Sequence, residues 1–381
     1  MTHLLLIIIY MAFVSLGLPD SILGASWPSM YPGLDVPVSY AGIISMSIAF
    51  CTIISSLQSY RITQKLGTGK VTAISAALTA VALLGFSVSA KFWQLCFWAI
   101  PYGIGAGSVD SCLNNYVATH YKSHHMSWLH CMWGVGATVG PMIMGRALTC
   151  GFGWNWGYRW VAFMQIALTA ILFLSLPLWR ARENGETRPG EAIPLREILA
   201  TPGVKAMMLC FFGYCALEQT AGLWAASYLA LHKGVPSDVA AGFGGMFFMG
   251  ITAGRAISGF VSMKLSDSKM IWLGMGVISA GIAVMLLPLG EALSLMGLAL
   301  VGLGCAPVYP SIMHSIPGIF GPERSQAIIG VQMAGAYVGT CLMPSLFGVI
   351  ANNITVALLP LYLLALLLVM AAMQRMTDRM A

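Results

Sequence analysis

YMAFVSLGLPDSILGASW, residues 10–27, is apolar or small along its whole length except for one carboxylate, Asp20. PYGIGAGSVDSCLNNYV (101–117) repeats the pattern around Asp110, and LCFFGYCALEQTAGLWAASY (209–228) repeats it around Glu218. Stretches of this length and polarity are suited to crossing a bilayer as helices, because a helix satisfies its backbone groups internally where no water can. An ionised carboxylate in hydrocarbon is costly. One that is present faces a polar cavity or a partner, and so marks an ion or substrate path.

Composition carries the same reading to the rest of the chain. Of 381 residues, 58% are hydrophobic and only 8% charged, and the mean hydropathy is +0.81. That much apolar surface cannot be hidden in one aqueous core, so lipid is the solvent for most of it. Apolar runs of about twenty residues fall near 4–31, 39–60, 69–90, 92–119, 126–149, 157–179, 203–231, 237–263, 270–289, 292–316, 325–351 and 355–374. The expectation is an all-α membrane protein of about twelve transmembrane helices. The first run has no basic flank and carries Pro19 and Asp20, so it reads as a span rather than a signal peptide.

Orientation follows from the basic residues, since positively charged short loops stay in the cytoplasm. Arg61, Lys65, Lys70, Lys122, Arg180, Arg182, Arg188, Arg196, Lys205, Lys264, Lys269, Arg324, Arg375 and Arg379 alternate onto one side, and Lys91, Arg146, Arg159 and Lys233 fall on the other. Both termini are therefore expected in the cytoplasm of a bacterium, with the chain in the inner membrane. The net charge of +6 is a topology signal on this reading, and nothing points to nucleic acid. The nine cysteines sit mostly within spans, without CxxC or HExxH spacing, and read as small apolar fillers.

A repeat organises the spans. KLGTGK begins at Lys65 and KLSDSK at Lys264, an offset of 264 − 65 = 199 residues. The same offset carries Gly140 onto Gly339 and brings Asp20 within one residue of Glu218, with Trp27 close to Trp224. Six spans repeated in parallel form the layout of transporters whose substrate site lies at the midplane between halves. The expected division is an N-terminal six-helix bundle over 1–179, a cytoplasmic linker over 180–202 and a C-terminal six-helix bundle over 203–381. The linker is rich in polar residues and Gly/Pro, with a short interfacial helix expected at PLREILA.

The motifs resemble the major facilitator superfamily and, within it, the fucose, galactose and glucose proton-symporter family. The residues that carry the resemblance are Asp20-Ser21-Ile22-Leu23, Asp110 with Asn114, and Leu129-His130 ahead of Trp133-Gly134 and Gly140-Pro141. In the second half they are Glu218 ahead of Trp224, and the run Gly302 to Pro310 through Tyr309. The resemblance implies that Asp20 and Asp110 handle substrate and proton, and it gives Glu218 as a feature of only some branches. One departure stands out: the superfamily places Asp before the basic loop residue, whereas Gln64 and Met263 stand there.

The residues themselves leave alternatives open. Each intramembrane acid is either a proton-coupling group or half of a buried ion pair, with Arg255, read as lying at the cytoplasmic part of span eight, the partner available to Glu218. Asp110 and Asn114 are four apart and share a helix face, whereas Asn115 points elsewhere. Asp20 and Trp27 are seven apart, so an acceptor and an aromatic plate for a sugar ring could line one cavity. Trp27, Trp133 and Trp224 read either as substrate contacts or as interfacial anchors, and their positions within spans argue against the anchor role. His130 is a proton relay or a packing residue. Gln219, Tyr309, Gln332 and Tyr337 are expected on the polar wall of the C-terminal half. Gly136 and Gly140, echoed by Gly335 and Gly339, read as close helix packing rather than an antiporter signature. Pro19, Pro28, Pro307 and Pro310 are expected to bend spans one and ten.

These readings lead to a monomeric carrier that imports a small polyhydroxylated solute, most simply a monosaccharide, by proton-coupled alternating access without a cofactor. Sodium coupling stays open. So does proton-coupled efflux of amphipathic compounds, which the 25 methionines would suit. No nucleophile, base and oxyanion arrangement or metal cluster is visible, which argues against an enzyme.

Overall fold

The computed structural model describes residues 2–120, 123–180, 195–287 and 290–379. Its described residues are helical nearly throughout and assemble into twelve spans. Span one is two helices, Thr2–Asp20 and Ile22–Met30. Spans two to five are Tyr40–Leu66, Thr68–Val88, Phe92–His120 and Ser123–Thr149. Span six is Trp154–Leu174 with a short continuation, Leu176–Arg180. Span seven is Val204–Lys233, span eight is Ser237–Phe243 followed by Gly245–Val261, and span nine is Asp267–Leu286. Span ten is Gly290–Cys305 followed by Val308–Phe320, and the last two spans are Pro322–Asn353 and Leu359–Asp378. Residues 181–194, most of the expected linker, and Lys122 lie outside the described residues. The short helix expected at PLREILA is present as Leu195–Ala200.

Helix breaks fall where the backbone chemistry asks for them. Proline lacks an N–H and clashes with the preceding turn, and Pro19 sits just before the break at Ser21. Pro307 occupies the cap of Val308–Phe320. Pro310 lies in the first turn of that helix, where a missing N–H leaves no bond unmade. It therefore starts a helix rather than bending one, and Pro28 sits inside the short second piece of span one. The break at Gly244 in span eight was not expected from the apolar run. Gly67, at φ 81°, joins spans two and three in a single residue, a backbone region that favours glycine.

The pairing of helices repeats between halves. Span one packs on five, two on four, and three on four and six; correspondingly seven packs on eleven, eight on ten, and nine on ten and twelve. Adding six to a span number thus reproduces its neighbours, which is the pseudo-symmetry expected of two six-helix bundles. Between halves, span five meets eight, two meets eleven and one meets seven. Where spans one and five cross, Gly136 and Gly140 lie against the main-chain oxygens of Val14 and Leu18, and Gly17 against that of Trp133. Gly339 repeats this against Phe212 in spans seven and eleven. The glycine pattern therefore serves backbone-to-backbone packing.

Candidate functional site

One cavity of about 300 Å³ lies between the halves, lined by residues of spans one, two, four and five and of spans seven, eight, ten and eleven. Among the described residues none from spans three, six, nine or twelve reaches it. Its volume is at the lower end of small-molecule sites, which run from about 300 to 1,000 Å³.

Asp20 ends the first helix of span one, so its carboxylate projects at the break. Both oxygens are engaged: the Tyr102 hydroxyl donates to Oδ1 at 2.7 Å and the Trp133 indole N–H donates to Oδ2 at 2.9 Å. Three spans thus meet at one carboxylate. Asp110 is held from its own helix, where Asn114 Nδ2 donates to Oδ1 at 2.9 Å and to the Asp110 main-chain oxygen at 3.0 Å. Glu218, 8% exposed, accepts a short hydrogen bond from the Tyr214 hydroxyl one turn earlier.

Asp20, Asp110, His130, Trp133, Glu218, Gln219, Tyr309 and Tyr337 all stand on the cavity wall. The His130 ring packs between Phe13 and Tyr309, each 5.9 Å away by ring centroids. Trp133 is committed at two places, with its N–H on Asp20 and the Arg255 guanidinium 5.1 Å from its ring centroid. That leaves less of it for a sugar than a bare aromatic plate would offer.

Four expected wall residues lie elsewhere. Trp27 is fully buried, and its N–H donates to the Val38 main-chain oxygen at 2.7 Å. Trp224 is likewise buried, donating to the Pro344 oxygen at 2.9 Å and packing on Phe347. Both are corrected from substrate contacts to helix-packing residues, because each indole is off the cavity wall and spends its N–H on a main-chain oxygen inside the protein. Gln332 is buried against span seven, with Nε2 3.4 Å from the Val204 oxygen, and does not face the cavity. Asn114 reaches the site only through Asp110. The Asn115 side chain lies outside the described ones.

Several wall residues were missed. Tyr102 and Tyr214 were legible in principle, eight and four residues before Asp110 and Glu218 on the same helices. Ser45, Thr52 and Thr340 carried no sequence signal. Arg255, read as lying at the cytoplasmic part of span eight, stands on the cavity wall. It forms no ion pair with Glu218 or any other described carboxylate.

Toward the span ends remote from the termini, the halves come into close contact. The Ser345 hydroxyl donates to the Gly42 oxygen at 2.8 Å, Gly145 lies against Gly242, and Gly24 lies against the main chain of Gly222 and Leu223.

Two six-helix bundles around a shared, carboxylate-bearing cavity define a membrane transporter. The chain belongs to the Major Facilitator Superfamily, whose family model matches residues 9–344. It is 22% identical over 297 residues to the glucose/mannose transporter GlcP of Bacillus subtilis, covering 75% of this chain and 72% of that protein. It is 26% identical over 360 residues to the uncharacterized transporter y4wD of Sinorhizobium fredii, covering 89% of this chain and 90% of that protein. Bypass of stop codon protein 6 of Saccharomyces cerevisiae is 23% identical over 388 residues, covering 92% of this chain and 77% of that protein. Among solved structures, a peptide transporter of the POT type in complex with sulfate superposes with a TM-score of 0.78 at 12% identity, covering 98% of this chain and 94% of that one. A bacterial homologue of the human lysosomal transporter Spinster, inward-facing and occupied, gives 0.70 at 13% identity, covering 100% and 96%. Such low identities speak for the fold alone.

Proposed function

We propose that this chain imports a small polyhydroxylated solute, a monosaccharide in its simplest form, together with a proton by alternating access. The observation that carries the reading is the placement of Asp20, Asp110 and Glu218 around one cavity shared by the halves. Each acid is held by neutral donors rather than by a cation, so no ion pair among the described residues occupies it. For Asp20 the consequence is specific. Protonation removes the charge shared by both oxygens and so weakens the charge-assisted bonds from Tyr102 in span four and Trp133 in span five. The likeness to a protein named as a glucose/mannose transporter supports a sugar as the solute.

The chain acts as a monomer in the bacterial inner membrane with both termini in the cytoplasm, a reading supported by the alternation of basic loops. With that orientation, the close contacts remote from the termini are a shut outer gate.

Proteoliposomes containing only this protein test the proposal. Uphill uptake of a monosaccharide should follow an imposed proton gradient and be indifferent to sodium. Asp20→Asn and Asp110→Asn should each lose accumulation, with counterflow exchange surviving in at least one, and Glu218→Gln should alter the pH dependence of uptake in a folded protein. Full gradient-driven uptake by both Asn variants would refute the coupling role.

A further inference from the structure

Arg255 has no role in proton coupling as proposed above, yet it stands on the cavity wall. A guanidinium within a membrane span is expensive and calls for a counter-charge or a polar cavity. The three cavity carboxylates are engaged elsewhere, Asp20 by Tyr102 and Trp133, Asp110 by Asn114 and Glu218 by Tyr214. Among the described residues none pairs with Arg255; the ion pair found there joins His314 to Asp267.

What holds the guanidinium is neutral. Its Nη1 donates to the His130 main-chain oxygen at 3.1 Å, and its carbon lies over the Trp133 ring at 5.1 Å. A guanidinium offers five donors in a planar fork, and Arg255 is only half-buried, so most of that fork is unspent. A preorganised fork of this kind recognises a carboxylate through two parallel hydrogen bonds, which an ammonium cannot reproduce. Elsewhere on the same cavity wall, Gln219, Thr340 and Tyr337 supply groups suited to hydroxyls.

We infer that the solute is itself an anion: a hydroxylated carboxylate of monosaccharide size, of the uronic or aldonic acid class, whose carboxylate docks on Arg255. The inference rests on the reading of this cavity as the site of a solute importer. Trp133 then has a second task, because its ring supports the guanidinium while its N–H holds Asp20. The group that receives the anion and the first acid of the cavity are thus joined through one side chain.

The test measures binding and counterflow by the full-length protein in proteoliposomes, with D-glucuronate and D-gluconate set against D-glucose, D-galactose and L-fucose. The acids should bind about tenfold or more tightly than the neutral sugars, as a charge-assisted pair would give. Arg255→Gln should erase that advantage, and Arg255→Lys, which keeps the charge but loses the fork, should recover only part of it. Should Arg255→Gln fail to fold, the comparison of acids with neutral sugars on the unaltered protein decides alone. Binding of neutral sugars with no preference for the acids would overturn the inference and leave the sugar importer standing. So would an acid preference that persists in a folded Arg255→Gln protein. No binding of any probe would overturn both.

Discussion

At the scale of single residues, the deciding question is what an indole N–H does. In Trp133 it binds a carboxylate on the cavity wall, whereas in Trp27 and Trp224 it binds a main-chain oxygen inside the protein. All three are aromatic residues within spans and look alike in sequence. The structure predicts that they respond differently to loss of the N–H. Trp27→Phe and Trp224→Phe should each lower stability by about 1–3 kcal/mol, from the lost hydrogen bond and the smaller ring in a packed site, with solute affinity unchanged. Thermal unfolding in detergent beside a binding isotherm separates the two effects, and a loss of affinity without a loss of stability would restore them to the site. The acids were legible because charge in hydrocarbon is conspicuous. Their partners Tyr102 and Tyr214 were less so, because a tyrosine in a span has many ordinary reasons to be there.

At the scale of helices, glycine sets how closely spans approach. A Cβ on Gly136 or Gly140 would collide with a main-chain oxygen of span one, whereas a Cβ on Gly276 in span nine meets nothing within 4 Å. Gly136→Ala should therefore destabilise the protein by about 1–3 kcal/mol through overpacking. Gly276→Ala should be neutral or stabilising by up to about 1 kcal/mol from helix propensity. Melting temperatures of the two variants check the contrast, and equal melting would mean that spans one and five can part without penalty. The pattern Gly136 to Gly140 and its echo at Gly335 and Gly339 were readable as packing in advance. The break at Gly244 was not foreseen, although the Gly244-Gly245 pair, with Gly242 close by, is a turn signal that the apolar run around it obscured.

At the scale of the whole molecule, transport by alternating access requires the contacts between halves to open and close. Spans five and eight form one such contact, where the Thr138 and Thr252 hydroxyls lie 3.2 Å apart. Cysteines in both places fall within reach of a disulfide. Oxidation of the Thr138→Cys, Thr252→Cys double variant should stop uptake, and a reductant should restore it, with each single variant as control. Unimpaired uptake by fully cross-linked protein would show that spans five and eight stay together through the cycle. The pseudo-symmetry behind this contact was visible in the 199-residue offset between Lys65 and Lys264, because both halves keep the same loop between their second and third spans.

The sequence by itself determined that the chain lives in lipid, that it has about twelve spans in two related halves, and that Asp20, Asp110 and Glu218 are its costly groups. These are properties of composition, period and local charge, and they survive whatever the packing. Only the tertiary structure decided which polar side chains share a cavity. It turned Trp27, Trp224 and Gln332 inward, gave Asn114 to Asp110, and brought Arg255 of one half over Trp133 of the other. The physical reason is that a span buried among others has no aqueous face to advertise its orientation. Which side of it lines the cavity depends on breaks, close glycine contacts and the rotation of neighbouring helices, none of which is written in any one segment.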